Sequence, residues 1–385
     1  MNNHKVKTNS HYVELDSLRG IASVLVLITH LMIVFPMIYS PSSPQDNLTL
    51  FVLKYLPFTR ALFIGGPEAV KLFFVLSGFV LALPFLKGGT IRYLPYLLKR
   101  FLRICIPFYV AICLAVLLSI VIQRSSIPEL SEWYNSMSWT TPISTRLLLG
   151  HFFLIGNFNV NAFNNVIWSL VHEMRISILF PLMMYGVIRY SWQKNVAAYL
   201  LAGIIGFYLG GYGDTVGYML LFVVGALLAK HRAFFIKQYK RTGSLPKIIL
   251  FTFAYALYSL HAPGSNPLIT GLVSYINMLG CGSLIIIALS SGRFSTILRN
   301  KAVSYLGRIS YSLYLYHFII LVASIKLLYG VIPIGFILLL TAAASISIAA
   351  LSYHFIEIPS IKWGKTLTRS RDTAIQQQYA LPPSQ

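Results

Sequence analysis

Residues 15–30 read LDSLRGIASVLVLITH, an apolar run with an arginine near its start and a histidine at its end. Arg19 and His30 are eleven positions apart. At about 100° per residue the two fall within about 20° of one helix face, and at about 1.5 Å of rise per residue they stand about 16 Å apart along it. That is about half the hydrocarbon thickness of a bilayer. One helix would therefore present a cation at a membrane surface and an imidazole near the midplane. An ionisable group at that depth is costly and is read first as functional. The plainer readings are an interfacial anchor at Arg19 and a helix-to-helix hydrogen bond at His30.

The rest of the chain is of the same kind. Its 385 residues are 56% hydrophobic and 11% charged, with a mean hydropathy of +0.70. That profile belongs to a polytopic membrane protein and not to a soluble globule. The formal charge of +21 does not point to nucleic acid, because the basic residues form no groove and no stacking motif accompanies them. Cys105, Cys113 and Cys281 are odd in number, lie in apolar stretches and lack metal-ligand spacing, so they read as small packing residues and no metal is expected. The polar N-terminus lacks a small-residue cleavage site after the first apolar run and does not read as a cleavable signal.

The expected fold is an all-α membrane bundle of about ten spans: 18–39, 68–86, 103–122, 166–188, 196–211, 215–229, 247–262, 268–289, 309–329 and 332–355. With both termini in the cytoplasm, 24 of the 31 Lys and Arg residues fall on that side. Lys54, Arg60, Arg124 and Arg146 fall outside, and Lys71, Arg175 and Lys326 lie within spans. The bias supports this topology. Residues 47–66 and 146–157 are placed on the outer side as interfacial or re-entrant pieces, since a single extra span would invert the bias. Residues 1–365 form one transmembrane domain. The polar stretch 366–385 reads as a disordered cytoplasmic tail.

Acids inside spans are scarce, so each is informative. Glu173, in NNVIWSLVHEMRISILFP, lies about 12 Å below the outer end of its helix. His30 lies at a comparable depth, and a carboxylate and an imidazole so matched can serve as orienter and base. The alternative is a structural ion pair of Glu173 with Arg175 or His172. His317, in SYSLYLYHFII, is either a tyrosine-bonded structural histidine or a substrate contact. Arg103, just inside its apolar run, has the planar fork that grips a phosphate. Ser77 and Gly78 read as close helix packing by small residues. Glu357 reads as a cap on a cytoplasmic cluster. No G-x-S-x-G elbow, polar cysteine, P-loop or dinucleotide fingerprint is present, so catalysis would rest on histidine and carboxylate.

Taken in order, LDSLRGIA, FFVLSGF, LLKRFLRICIP, WSLVHEMRISILFP, SYSLYLYH and HFIEIP resemble the membrane-bound acyltransferase 3 family across residues 12–360. The arginine, ten residues and histidine of the first helix are its signature. The resemblance implies transfer of an acyl group, most often acetyl from acetyl-CoA, to a hydroxyl of a glycan or other acceptor at the membrane. It implies His30 at the reaction centre and Arg19 on the donor, with Arg100 and Arg103 adding charge for acyl-CoA phosphates. Trp168, His317 and Ser77 join the substrate path, and Glu173 orients His30. Many members carry two acids and a glutamine where this chain has His172, Glu173, Met174 and Arg175, which leaves the acceptor open. A stand-alone enzyme of the cell membrane is expected, with no fused extracytoplasmic domain, no tightly bound cofactor, acyl-CoA as co-substrate, and lipid and a glycan as partners. A transporter or flippase of a glycan or lipid-linked intermediate is the competing class, because it too places ionisable groups at mid-membrane.

Overall fold

The computed structural model describes residues 12–39, 48–88, 91–122, 126–154, 156, 158–210, 212–261 and 266–378. All ten expected spans are helical: α1 (Val13–Met32), α2 (Gly66–Leu86), α3 (Tyr93–Val121), α4 (Ile167–Arg189), α5 (Trp192–Leu209), α6 (Tyr212–Arg241), α7 (Ser244–Ser259), α8 (Pro267–Ser290), α9 (Lys301–Leu328) and α10 (Ile334–Ser352). No strand occurs among the described residues. Among the described residues, eight helices are long and apolar enough to cross a membrane. The other two of the ten are α5, whose 18 residues open on the polar Trp-Gln-Lys-Asn, and α7, which has only 16. After α10 the backbone widens into one π-helical turn, Tyr353–Glu357, and continues as α11 (Ile358–Gln378). The stretch expected to be a disordered tail is thus helical as far as Gln378, and residues 379–385 lie outside the described residues.

Two glycine crossings set the centre. α1 crosses α9 where Gly20 meets Gly307, and a Cβ on Gly307 would stand 2.5 Å from the Asp16 carbonyl oxygen. α2 crosses α6 where Gly78 meets Gly225, each closer to the other helix's backbone than any side chain allows. α1 also packs on α2, while α5 with α6, α7 with α8 and α9 with α10 form antiparallel pairs around them. The α1–α2–α9 core therefore carries Arg19 and His30 inward. α11 folds back on α3 at the end where Arg19 lies.

The two uncertain outer segments are short helices. Residues 47–66 hold Leu48–Tyr55 and Pro57–Phe63, and residues 146–157 fall on Thr145–Phe152 and the turn after it. None approaches the roughly 20 residues of a span. A further short helix, Glu132–Met137, sits over the end of α1, because Ser131 Oγ donates to the Ile33 carbonyl (2.7 Å) and its N–H to the Val34 carbonyl (2.8 Å).

Candidate active site

A cavity of about 490 Å³ opens between α1, α2, α3, α4, α9 and α11. Five cations line it, Arg19, Arg100, Arg103, Arg308 and Lys365, against three carboxylates, Asp16, Glu173 and Glu357. Arg19 leans on Asp16 (3.6 Å) and donates to the Leu76 carbonyl (3.4 Å). Glu173 is held by Arg100 Nη2, and Ser77 Oγ donates to its Oε1 (3.1 Å). Arg100 Nε donates to Ser177 Oγ (3.0 Å), which in turn donates to the Glu173 carbonyl (2.7 Å). Glu357 accepts from Ser312 Oγ (2.9 Å). Arg103 is exposed to the cavity and makes no hydrogen bond or ion pair with another described residue. Glu357 is its carboxylate neighbour across the cavity, and with no hydrogen bond to it the planar fork stays available for an anion.

The other end of the Arg19–His30 face is lined by aromatic rings, with His317 buried and His30 partly so. His317 Nδ1 lies 2.9 Å from the Leu313 carbonyl, which can only accept, so this nitrogen carries the proton. His317 Nε2 then holds a lone pair and accepts from His30 Nδ1–H at 2.8 Å. This leaves the lone pair of His30 on Nε2, a tautomer assigned from the bonding pattern. The two rings are nearly coplanar, 13° apart with centroids 5.1 Å apart. Trp133, from Glu132–Met137, lies near-parallel to His30 at 5.2 Å, and Phe318 meets it edge-on at 5.6 Å. Neither histidine lines the cavity, whose nearest wall on α9 is Tyr314, one turn before His317.

Of the expected site residues, Arg19, Arg100, Arg103, Glu173 and Ser77 meet at the cavity. His30 and His317 meet each other. Trp168 joins neither group: it packs among Phe74, His172 and Tyr218. Glu173 does not orient His30. The matched depth does not hold: Glu173 meets Ser77 at the level where Arg19 meets Leu76, whereas Thr29, beside His30, meets Gly66 eleven residues away along α2, and α4 turns Glu173 toward α2 and α3. Nor does Glu173 pair with its sequence neighbours, because His172 and Arg175 face the opposite way. His172 Nδ1 and Arg175 Nη1 meet Thr215 Oγ1 (2.9 and 3.1 Å), and Arg175 Nη2 donates to the Gly156 carbonyl (2.6 Å). Ser77 and Gly78 divide the work expected of both: Gly78 is the packing residue, and Ser77 bonds Glu173.

The family model described as an acyltransferase domain matches residues 12–353, across both the cavity and the histidine pair. The chain belongs to the membrane-bound acyltransferase 3 family. It is a multi-pass membrane protein of this family. It is 25% identical over 342 residues to the peptidoglycan O-acetyltransferase OatA of Listeria monocytogenes, a match covering 78% of this chain and 52% of that protein. The chain thus spans about half the length of that curated relative. No solved structure matches it.

Within this member of the family, Arg308 and Tyr314 line the cavity and Trp133 packs on His30 without having stood out in the sequence. A signal existed for one of them. Ser310, Tyr314 and His317 recur at i, i+4 and i+7 in α9, so their polar groups share one face. Trp133 offers no such pattern, because it comes from a short loop helix.

Proposed function

We propose that the protein is a membrane O-acyltransferase that moves an acyl group, acetyl in the first instance, from acyl-CoA to a hydroxyl of a cell-envelope glycan. The observation that carries this reading is the His30–His317 pair, with the lone pair of His30 on Nε2 and no partner for it among the described residues, standing one helical turn beyond a cationic cavity. The donor's phosphates meet Arg103, with Arg19, Arg308 and Lys365 beside it, where bidentate and charge-assisted bonds are strongest. Its acyl thioester runs up the cavity toward Tyr314. The acceptor hydroxyl gives its proton to His30 Nε2 as its oxygen adds to the thioester carbonyl. Collapse of the tetrahedral intermediate breaks the C–S bond, and the departing thiolate takes the proton back from His30. His317 holds His30 in the right tautomer and steadies the transient imidazolium through Nδ1–H, the part a third residue plays for a histidine base. The glycan acceptor rests on the relative named for peptidoglycan.

The topology belongs to the same proposal: ten spans, both termini cytoplasmic, donor cavity facing the cytoplasm and Trp133 facing out. Glu132 and Ser244 are exposed and fall on opposite sides of the membrane in this scheme. Glu132→Cys should react with an impermeant thiol reagent on intact cells, whereas Ser244→Cys should not. Equal labelling overturns the topology. The activity is tested with purified protein in detergent, radiolabelled acetyl-CoA and a soluble peptidoglycan fragment. Label should appear as a base-labile ester on the glycan, and the absence of transfer overturns the reading.

A further inference from the structure

Acyl addition creates a negative oxygen, and nothing in the histidine pair meets it. Two hydroxyls stand in the cavity wall close to that pair. Tyr314 and Ser169 line the cavity at its end nearest His317, with Tyr314 and His317 ring centroids 6.0 Å apart. Both are buried, and their oxygens are 2.7 Å apart. The Val166 carbonyl lies 3.1 Å from Ser169 Oγ and 3.3 Å from Tyr314 Oη. Each hydroxyl has one proton, so the two cannot satisfy all three contacts at once. The shortest arrangement has Ser169 donating to Val166 and Tyr314 donating to Ser169.

We infer that Tyr314 is the oxyanion donor of this enzyme, with Ser169 as its positioning residue; this rests on the acyl-CoA reading above. The phenol proton is parked on a neutral hydroxyl, a weak partner, while two neighbouring cavity hydroxyls are committed to a carboxylate and a carbonyl. Ser77 donates to the Glu173 carboxylate and Tyr311 to the Ile104 carbonyl (2.7 Å). Turning the O–H from Ser169 to a developing oxyanion exchanges a neutral bond for a charge-assisted one. Only the hydrogen has to move, because Phe73 fixes the ring edge-on at 5.6 Å. The same placement explains why the cavity ends at Tyr314 and not at His30. The acyl carbon stops beside the phenol, and the acceptor hydroxyl bridges from there to His30 Nε2. Ser169 keeps its bond to Val166 throughout, so its oxygen remains in place to take the phenol proton back when the intermediate collapses.

Tyr314→Phe keeps the ring and removes only the donor. It should lower kcat about 100-fold or more and leave the donor KM within about threefold, since a lost oxyanion donor costs 10²–10³ in kcat. Ser169→Ala should cost less, about tenfold, again in kcat. Replacing Tyr314 by 3,5-difluorotyrosine, a stronger acid of nearly the same shape, should shift kcat relative to wild type, which a packing role would not do. Acetyl-CoA binding measured on each purified variant establishes that it is folded. Wild-type kcat in Tyr314→Phe, or a loss confined to KM, overturns the inference while leaving the enzyme reading intact. A wild-type protein that binds no acetyl-CoA and transfers nothing overturns the reading itself.

Discussion

Two buried polar clusters in this molecule use the same residue types to opposite ends. One is the cavity around Arg19, Arg100, Arg103 and Glu173. The other lies behind the short helix Pro57–Phe63. There Arg60 Nη1 donates to Glu68 Oε1 (2.9 Å) and its Nη2 to His261 Nδ1 (2.9 Å). Lys71 Nζ donates to Asn277 Oδ1 (2.6 Å), and Asn277 Nδ2 donates to the carbonyls of Leu257, Tyr258 and Leu260. Arg60, Glu68 and Asn277 are all buried. Those contacts tie α2, α7 and α8 to an outer helix too short to hold itself in place. In the cavity, by contrast, Arg103 makes no hydrogen bond to another described residue and faces open space near Glu357, and cations outnumber carboxylates among the lining residues. A charged residue in a membrane protein is thus informative about ligands only once its partners are known. The paired cluster reads as a clamp, and the open one as a candidate site.

The sharpest test of this contrast lies at the far end of the cavity. His30→Ala should reduce acyl transfer by about 10⁴-fold, to background, while acetyl-CoA binding stays nearly intact, because a missing base affects only the transition state. His317→Gln, which keeps an acceptor for His30 Nδ1–H, should retain more activity than His317→Ala. Equal loss of donor binding in His30→Ala would merge the two ends of the site into one.

Next comes the clamp. Glu68→Ala leaves Arg60 buried without a counter-charge, which costs about 3–5 kcal/mol. It should lower the melting temperature in detergent sharply, yet leave kcat per folded molecule unchanged. A variant that melts normally but loses turnover would make this cluster part of the site.

Arg103→Ala should do the reverse. Losing a charge-assisted contact weakens apparent acetyl-CoA affinity by about 10- to 150-fold, with the melting temperature unmoved, since no bond within the protein is lost. Arg103→Lys should recover part of that affinity, because the charge remains without the fork.

The smallest effect is expected at Glu173. Glu173→Gln removes the partner of Arg100, and a partly exposed pair is worth at most about 1 kcal/mol. Donor affinity should stay within about fivefold, on the tighter side, and kcat should hold. A 100-fold loss of kcat would restore Glu173 to the catalytic machinery.

The hydrophobic run of each helix, the inward face shared by Arg19 and His30, and the scarcity of acids are local properties of consecutive residues, and they were legible in the sequence. They decided an all-helical membrane bundle and named both ends of the site. Partnership was not legible, because it depends on which helix faces which. His30 finds its partner 287 positions away. Glu173 sits at the Arg19 end of the bundle and bonds Arg100 and Ser77. Periodicity gives the angle of a side chain on its own helix, whereas the angle between helices is set by crossings such as Gly20 on Gly307, where two backbones meet without a Cβ between them. Only the packed bundle, by fixing those rotations, decided that His30 bonds His317 and that Glu173 bonds Arg100.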